Sequence, residues 1–359
     1  MTLNILYNIY PQNPNVLVVY YLAITGSSIA GPILFSKVNR LHFLYLWIIL
    51  GTMVSSLFFL GENAPITYVA LLGVSFGLGM PAALTYFASF TSIENRGHVA
   101  GVIFFSTTLI MPIALLMFEN QNLLTSSIIN TLWRGLGFVL FFLLKPGQKI
   151  APQSRKLVSY KKILQNRTFT LYLIPWLMFS FIDQFGASFL RTTFVSQFGY
   201  STPKIGLLIG SLFAFVGGIL ADFLGRKRVI ISSFVALGIA YAVIGIAPTF
   251  LISWYFHLII DGMAWGILFT IFILILWGDL PVHEATEKYY AVGNLPFFLS
   301  GVIWLLLAPY TSIPTLSAFS LASFFLFLAV LPLMYAPETV PERKIKLRQL
   351  QSYAERAES

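Results

Sequence analysis

Residues 203–246 read PKIGLLIGSLFAFVGGILADFLGRKRVIISSFVALGIAYAVIGI. Two apolar runs, at about 204–221 and 229–247, flank a short segment with one acidic residue, Asp222, and three consecutive basic residues. A helix needs about 20 mostly apolar residues to cross the hydrocarbon of a bilayer. Because no water satisfies the backbone polar groups there, each run must be helical. The stretch therefore predicts two membrane-spanning helices joined by a short basic loop.

The composition of the whole chain points the same way. Of its 359 residues, 57% are hydrophobic and only 10% are charged, whereas a soluble domain carries about 25% charged residues. This balance excludes a soluble globular enzyme, a disordered chain and a nucleic-acid-binding domain. The chain has no cysteine, which excludes disulfides, thiolate catalysis and cysteine-based metal sites.

Apolar runs of similar length recur along the chain, and we predict an all-α integral membrane protein with eleven transmembrane helices. The runs lie at about 16–36, 43–61, 66–90, 99–118, 123–144, 168–190, 204–221, 229–247, 250–277, 294–312 and 315–335.

The basic residues give the orientation, because lysine and arginine are concentrated in cytoplasmic loops. Most of the 22 basic residues fall in one set of alternate connections, and Arg191 and Lys204 fall in the other. The richer set comprises Lys37, Arg40, Arg96, the block from Lys145 to Arg167, Arg226 to Arg228, Lys288 and the tail. We therefore expect a multi-pass protein of the cell membrane with its C-terminus in the cytoplasm and its N-terminus outside. Residues 1–14 lack the basic residues of a signal peptide.

The chain contains an internal repeat. The helix at 43–61 matches 230–248, and the helix at 66–90 matches 253–277. We expect a five-helix half at 1–144, a linker at 145–167, a six-helix half at 168–335 and a tail at 336–359. The first half lacks the first of its six helices, so in-frame DNA upstream of Met1 would encode that helix if the start had been assigned too late. Two parallel six-helix repeats are the plan of one large class of transporters.

The loop from Gly218 to Arg228 carries a spaced motif: glycine, three residues, aspartate, two residues, glycine and two basic residues. It resembles the signature loop of the major facilitator superfamily. That resemblance implies two helical-bundle repeats and a loop that stabilises one conformation during alternating access. The residues of this conformational gate would be Gly218, Asp222, Gly225, Arg226 and Lys227. Two positions depart from the family pattern: Phe223 replaces a basic residue, and Phe35 replaces the aspartate of the first-half counterpart.

Elementary chemistry fits this spacing. Asp222 can lie against the positive N-terminal end of the following helix and pair with a guanidinium. Gly225 permits a tight turn. A generic basic loop remains the alternative interpretation.

Two shorter strings resemble the sugar-porter branch of the same superfamily. Arg96-Gly97 follows the third predicted helix, and Pro337-Glu338-Thr339 follows the last one. Against that branch, the helix at 168–190 has Asp183-Gln184 where sugar porters have a double glutamine.

Four ionisable residues lie inside predicted helices, where such residues mark functional sites by default. They are Arg134, Asp183, His257 and Asp261. His257 and Asp261 are four residues apart and share a helix face, so they can form a proton-binding pair. We expect Asp183, Gln184, His257 and Asp261 to contribute to the substrate and proton-coupling site. The alternatives are that His257 only bonds a carbonyl oxygen, and that Arg134 pairs with an acid such as Glu119 instead of binding an anionic substrate.

The sequence thus predicts a secondary active transporter that moves a small organic solute, a sugar or an organic acid, together with protons. We expect a monomer in a lipid bilayer with no cofactor, metal or nucleic-acid partner. No GxxxxGK[ST] string is present, which disfavours an ATP-driven pump, and the four histidines lack metal-ligand spacing. The alternatives are a family member that has lost transport and a membrane-embedded enzyme.

Overall fold

The structure of the protein is a computed structural model, and in the residues that it describes every regular element is helical. The described residues are 14–35, 39–57, 60, 63–118, 122–144, 158–198, 203–281, 285–307 and 314–340. The helices are α1 (Pro14–Phe35), α2 (Arg40–Ser56), α3 (Pro65–Gly77), α4 (Met80–Phe90), α5 (Arg96–Phe118), α6 (Leu123–Leu143), α7 (Tyr160–Leu164), α8 (Arg167–Phe198), α9 (Pro203–Leu224), α10 (Arg226–Ile246), α11 (Leu251–Phe269), α12 (Leu276–Asp279), α13 (Thr286–Leu307) and α14 (Thr315–Tyr335).

Each of the eleven predicted apolar runs coincides with one of these helices or with two consecutive ones, so the all-α membrane fold is confirmed. Eight helical spans in the described residues are long and apolar enough to cross a membrane, and α2 is a shorter apolar helix. The two largest boundary differences are eight residues each: α8 ends at Phe198 rather than near 190, and α13 begins at Thr286 rather than near 294. Two polar residues in the first turn of α13 make contacts: Glu287 pairs with Arg40 at 2.8 Å, and Lys288 Nζ donates to the Val158 carbonyl at 2.7 Å.

The described residues form two compact units that are interleaved along the chain. The first unit draws on 1–89, 113–160 and 283–310, and the second on 90–112, 161–282 and 311–359. Residues 1–13, most of the linker predicted at 145–167 and most of the tail predicted at 336–359 lie outside the described residues.

In the first unit, α1 packs against α3 and α13, and α2 packs against α6. Close contact between α1 and α3 depends on Gly77, because a Cβ there would lie 2.5 Å from the Ile24 carbonyl oxygen. The buried core contains Val16, Leu17, Tyr20, Tyr21, Ile24, Val54, Tyr68, Val69, Leu72, Phe298 and Val302.

Segment 158–160 is part of the first unit and contacts α1 and α13. The Tyr160 hydroxyl donates to the Ile29 carbonyl at 2.7 Å, and Lys288 Nζ lies 5.2 Å from the centre of the Tyr160 ring. Burial raises the pKa of Tyr160 to about 12, so this hydroxyl remains a donor at physiological pH.

In the second unit, α9 packs against α11, α10 packs against α11 and α14, and α8 packs against α14. Small residues bring α9 and α11 together, as is common between membrane helices. A Cβ on Gly266 would lie 2.0 Å from the Gly210 carbonyl oxygen. The backbones of these two helices are therefore in direct contact.

The apolar run at 250–277 forms a rod with an irregular turn. A π-helical segment, Thr270–Ile275, joins α11 to α12, and the Leu276 N–H bonds the Ile271 carbonyl five residues earlier. Such segments inside α-helices often lie at functional sites. The rod connects two acidic side chains of the second unit, Asp261 on α11 and Asp279 on α12.

Candidate functional site

The signature loop lies at the centre of a buried cluster of charged groups in the second unit. Asp222, at the end of α9, accepts hydrogen bonds from the backbone N–H groups of Gly97 at 3.0 Å and His98 at 2.8 Å. These groups belong to the first turn of α5, whose N–H groups have no partner within the helix. The sequence suggested that Asp222 would lie against the start of the following helix and pair with a guanidinium. The backbone N–H groups that it binds belong to α5 instead, whereas the guanidinium partner is Arg226, the first residue of the following helix.

Arg226, the first residue of α10, is fully buried and bonds four acceptors. Its guanidinium donates to Asp222 Oδ1 at 2.6 Å, to the Ala221 carbonyl at 2.7 Å, to the Ile93 carbonyl at 2.6 Å and to Asp279 Oδ2 at 3.1 Å. The side chains of Asp222 and Asp279 are also fully buried. A guanidinium presents five donors in a planar fork, and few other side chains could serve acceptors in so many directions.

Asp279 is the central acidic residue that the sequence reasoning missed. It forms ion pairs with both Arg226 and Arg96, and the Thr339 hydroxyl lies 3.4 Å from its Oδ2. Arg96 also donates from Nε to Thr91 Oγ1 at 3.0 Å. The only signal in the sequence was an acid at the end of a long apolar run, on the same predicted side as the basic loops.

The Pro-Glu-Thr string joins the same cluster. Glu338 accepts from the backbone N–H groups of Arg226 at 2.9 Å and Lys227 at 3.1 Å, so it caps the start of α10. Gly225 precedes that helix with φ of 96°, a conformation that favours glycine. Lys227 Nζ donates to the Met334 carbonyl at 2.8 Å, near the end of α14.

His98 lies at the edge of the cluster, with 42% of its side chain exposed. Its Nδ1 makes a short contact with Asp222 Oδ2, and its ring contacts the ring of Phe223 at 5.7 Å between centres. The phenylalanine that departs from the family motif therefore packs on a histidine that also contacts the motif's aspartate.

Close contact between α5 and α9 explains the Arg-Gly pair. A Cβ on Gly97 would lie 2.3 Å from the Gly218 carbonyl oxygen and 2.5 Å from Asp222 Oδ1. A Cβ on Gly218 would in turn lie 2.3 Å from the Gly97 carbonyl oxygen. Glycine at both positions lets the Gly97 N–H reach Asp222. We call Arg96, His98, Asp222, Arg226, Asp279 and Glu338, with these glycines, the charge cluster.

A second group of polar side chains lies on the membrane-spanning helices of the same unit. Asp183 on α8 and Asp261 on α11 are near enough for their charges to interact, and Tyr241 on α10 interacts with both. Among the described residues, neither carboxylate forms an ion pair. We call Asp183, Asp261, Tyr241 and His257 the membrane acidic site.

His257 does not pair with Asp261, although the two residues share a helix face. Its ring meets the Tyr241 ring edge-on at 4.5 Å between centres. The side chain is buried, with 3% exposed, and its Nε2 has no hydrogen-bond partner within the described part of the chain. The predicted His–Asp pair was therefore wrong, because the imidazole packs against Tyr241. A carbonyl partner for Nε2 is likewise not found among the described residues.

Arg134 belongs to the first unit, whereas the charge cluster and the membrane acidic site belong to the second. Its Nη1 donates to the Gly51 carbonyl at 2.8 Å and to Ser75 Oγ at 3.2 Å. Glu119, the acid suggested as its partner, is outside the described residues.

Gln184 and two tryptophans of the predicted membrane helices differ in their surroundings. Gln184 on α8 is partly buried. Trp176 is buried and stacks on Phe272 at 4.8 Å between ring centres, whereas Trp133 is 52% exposed. Among the described residues, no three His, Cys, Asp or Glu side chains are grouped to hold a metal ion.

Comparison with known proteins adds a family match. A sequence model described as the Major Facilitator Superfamily matches residues 16–287. Among curated proteins, no sequence matches the chain.

Two solved structures share the fold. The human organic anion transporter MFSD10 (TETRAN) aligns with a TM-score of 0.59 and 12% identity, over 89% of this chain and 82% of that one. The proton:xylose symporter XylE, solved with 6-bromo-6-deoxy-D-glucose, aligns with a TM-score of 0.67 and 15% identity, over 94% and 91%. At these identities the likeness concerns the fold alone.

Proposed function

Since the chain belongs to the major facilitator superfamily, whose members are transporters rather than enzymes, we propose that it moves a small polar organic solute together with protons. The solute is a sugar or an organic acid. The protein acts as a monomer in the cell membrane with its C-terminus in the cytoplasm, and the sequence halves at 1–144 and 168–335 alternate access to a site between the membrane faces.

The observation that carries proton coupling is the pair of carboxylates in the membrane acidic site. Asp183 and Asp261 interact with each other and have no ion-pair partner within the described residues. Carboxylates in membrane helices are costly unless they are neutralised, and two like charges at close range repel. Binding a proton, or a solute that donates hydrogen bonds, relieves that repulsion. Proton and solute binding are therefore linked through the same two groups.

The charge cluster supports a conformational gate. Arg226 and Asp222 form a fully buried ion pair, with Asp279 as a second acid. While they are paired, each of these charged groups has a counterion. Separating them leaves buried charges without one, which costs several kcal/mol. Such a cluster has two distinct states, formed and broken. We assign the formed state to closure of the cytoplasmic side.

The π-helical segment links the two sites. Asp261 and Asp279 lie on the same rod, Leu251–Asp279, on either side of Thr270–Ile275. A change in protonation at Asp261 can therefore reach Asp279 through one helical element. This gives the proposed transporter a physical connection between proton binding and gating.

The test is solute-induced proton movement in proteoliposomes that contain a trapped pH-sensitive dye. Neutral sugars and small carboxylates are added one at a time, and uptake is compared with and without an imposed pH gradient. We expect the Asp261→Asn variant to lose gradient-driven accumulation while it retains exchange of solute at equal concentrations. Glu94→Gln removes an acid outside the membrane segments and serves as the matched control.

Two results would contradict the proposal. Full gradient-driven accumulation by Asp261→Asn would remove this residue from coupling. If the folded wild-type protein moved neither protons nor solute with any compound of the panel, a family member that has lost transport would be the better description.

A further inference from the structure

Arg134 is a cation on a membrane-spanning helix of the first unit whose described partners are all neutral. Its Nη1 donates to the Gly51 carbonyl on α2 and to the Ser75 hydroxyl on α3. A Cβ on Gly51 would lie 2.9 Å from Nη1, so the glycine allows the guanidinium to rest on the backbone. The side chain thus has a fixed position between three helices.

The described acidic residues of the first unit do not balance this charge. Glu287 is the single acid in the described parts of 14–89, 113–160 and 285–307, and it pairs with Arg40 at the start of α13. Both of its acceptors, the Gly51 carbonyl and the Ser75 hydroxyl, are neutral and leave the guanidinium charge of Arg134 without a counterion. The two contacts alone therefore do not account for an arginine there, because a membrane-buried charge is costly.

The surroundings of Arg134 are also unusually polar for a helical bundle in a membrane. Tyr20 and Tyr68 lie within electrostatic range of the guanidinium. The Tyr68 hydroxyl bonds Ser127 Oγ at 3.1 Å, and Asn130 Nδ2 donates to Ser55 Oγ at 3.0 Å. Hydroxyl and amide groups of this kind can hydrogen-bond the oxygen atoms of a polar solute.

We propose that Arg134 binds the negatively charged group of the transported solute, so that the substrate is an organic acid rather than a neutral sugar. This inference rests on the proposed transport function and makes Arg134 a specificity-determining residue. Arginine suits this role because its planar fork matches a carboxylate in a bidentate geometry. The carboxylate supplies the counterion that the described residues of the first unit lack.

The inference is tested by ligand binding to the purified full chain in lipid nanodiscs, measured by thermal unfolding. The probes are pairs of a carboxylate and its neutral counterpart: lactate with lactamide, succinate with succinamide, and gluconate with glucose. We expect at least one carboxylate to raise Tm while its neutral counterpart does not. A hydrogen-bonded charge is worth about 1.5–3 kcal/mol, so Arg134→Gln should weaken that carboxylate roughly 10- to 100-fold. Arg134→Lys should retain part of the binding.

Arg40→Gln is the matched control, since it removes a guanidinium from the same unit at the Glu287 ion pair. We expect this variant to discriminate carboxylate from amide as the wild type does. If no carboxylate is distinguished from its neutral counterpart, or if Arg134→Gln leaves that distinction intact, the inference is wrong and Arg134 only joins helices.

The outcome also separates this inference from the proposed function. Proton movement driven by neutral sugars alone would leave proton-coupled transport standing and overturn the role of Arg134. Carboxylate binding that depends on Arg134, without any proton movement in liposomes, would support the role of Arg134 and overturn proton-coupled transport.

Discussion

Arg226 Nη1 donates to Asp222 Oδ1 at 2.6 Å, and both side chains are completely removed from solvent. The two residues are four apart but belong to different helices, because Gly225 turns the chain between α9 and α10. The turn aims the aspartate at the start of α5 and the guanidinium at Asp279. This one ion pair therefore connects four segments of the second unit.

We predict that Asp222→Asn destabilises the protein even though the two side chains have the same shape. The carboxylate accepts from Arg226 and from the N–H groups of Gly97 and His98. An asparagine presents an NH2 group to one of these donors and leaves Arg226 short of a counterion. Breaking a buried ion pair on one side costs about 3–5 kcal/mol, so Tm in detergent should fall clearly. An unchanged Tm would mean that the pair contributes little to the fold.

We predict that Gly97→Ala disrupts the contact between α5 and α9. The new Cβ would lie 2.3 Å from the Gly218 carbonyl oxygen, a backbone atom that cannot move without the helix. Gly137→Ala is the control, because no atom lies within 4 Å of a Cβ there. In an exposed helix, alanine is favoured over glycine by about 1 kcal/mol. Thermal unfolding should show a loss for Gly97→Ala and no loss for Gly137→Ala, and equal effects would contradict the close contact.

Much of the fold could be predicted because its cause is local. A run of about 20 apolar residues has to be helical in a bilayer whatever surrounds it, and so the predicted runs reappear as helices. The signature loop was also readable, because Asp222, Gly225 and Arg226 lie within a few residues of one another. The early start of α13 was missed since Glu287 and Lys288 look like loop residues until their partners are known.

The candidate sites were harder to predict because their contacts are distant in sequence. Arg96 and Asp279 are separated by 183 positions, and no periodicity indicates that the ends of those two helices meet. Tyr241 was overlooked because an aromatic residue in an apolar run resembles packing. For His257, the shared helix face was right, but the face does not determine which neighbour the ring contacts.

We predict that deleting Ile273 is tolerated better than deleting Ala264. A π-helical segment contains one residue more than the α-helix that it replaces, so removal of one residue from Thr270–Ile275 restores α-helical geometry on both sides. Removal of Ala264 from α11 rotates every later residue by about 100° relative to the earlier ones and turns Asp279 away from Arg226. Thermal unfolding should therefore show the larger loss for the Ala264 deletion. The reverse order would indicate that the π-helical segment is a structural requirement.

We predict that Tyr241→Phe preserves the fold and weakens proton coupling. The phenyl ring keeps the edge-on contact with His257 and the contact with Phe319, whose centre lies 6.1 Å away. The lost hydroxyl is the polar group of α10 that interacts with both Asp183 and Asp261. An electrostatic contact of about 1 kcal/mol corresponds to roughly a 5-fold change in an equilibrium, so gradient-driven solute accumulation should fall by about that factor while Tm changes little. Phe319→Leu alters the same ring cluster without touching a polar group, and it should leave coupling intact. Equal losses in the two variants would show that packing, and not the hydroxyl, supports the acidic site.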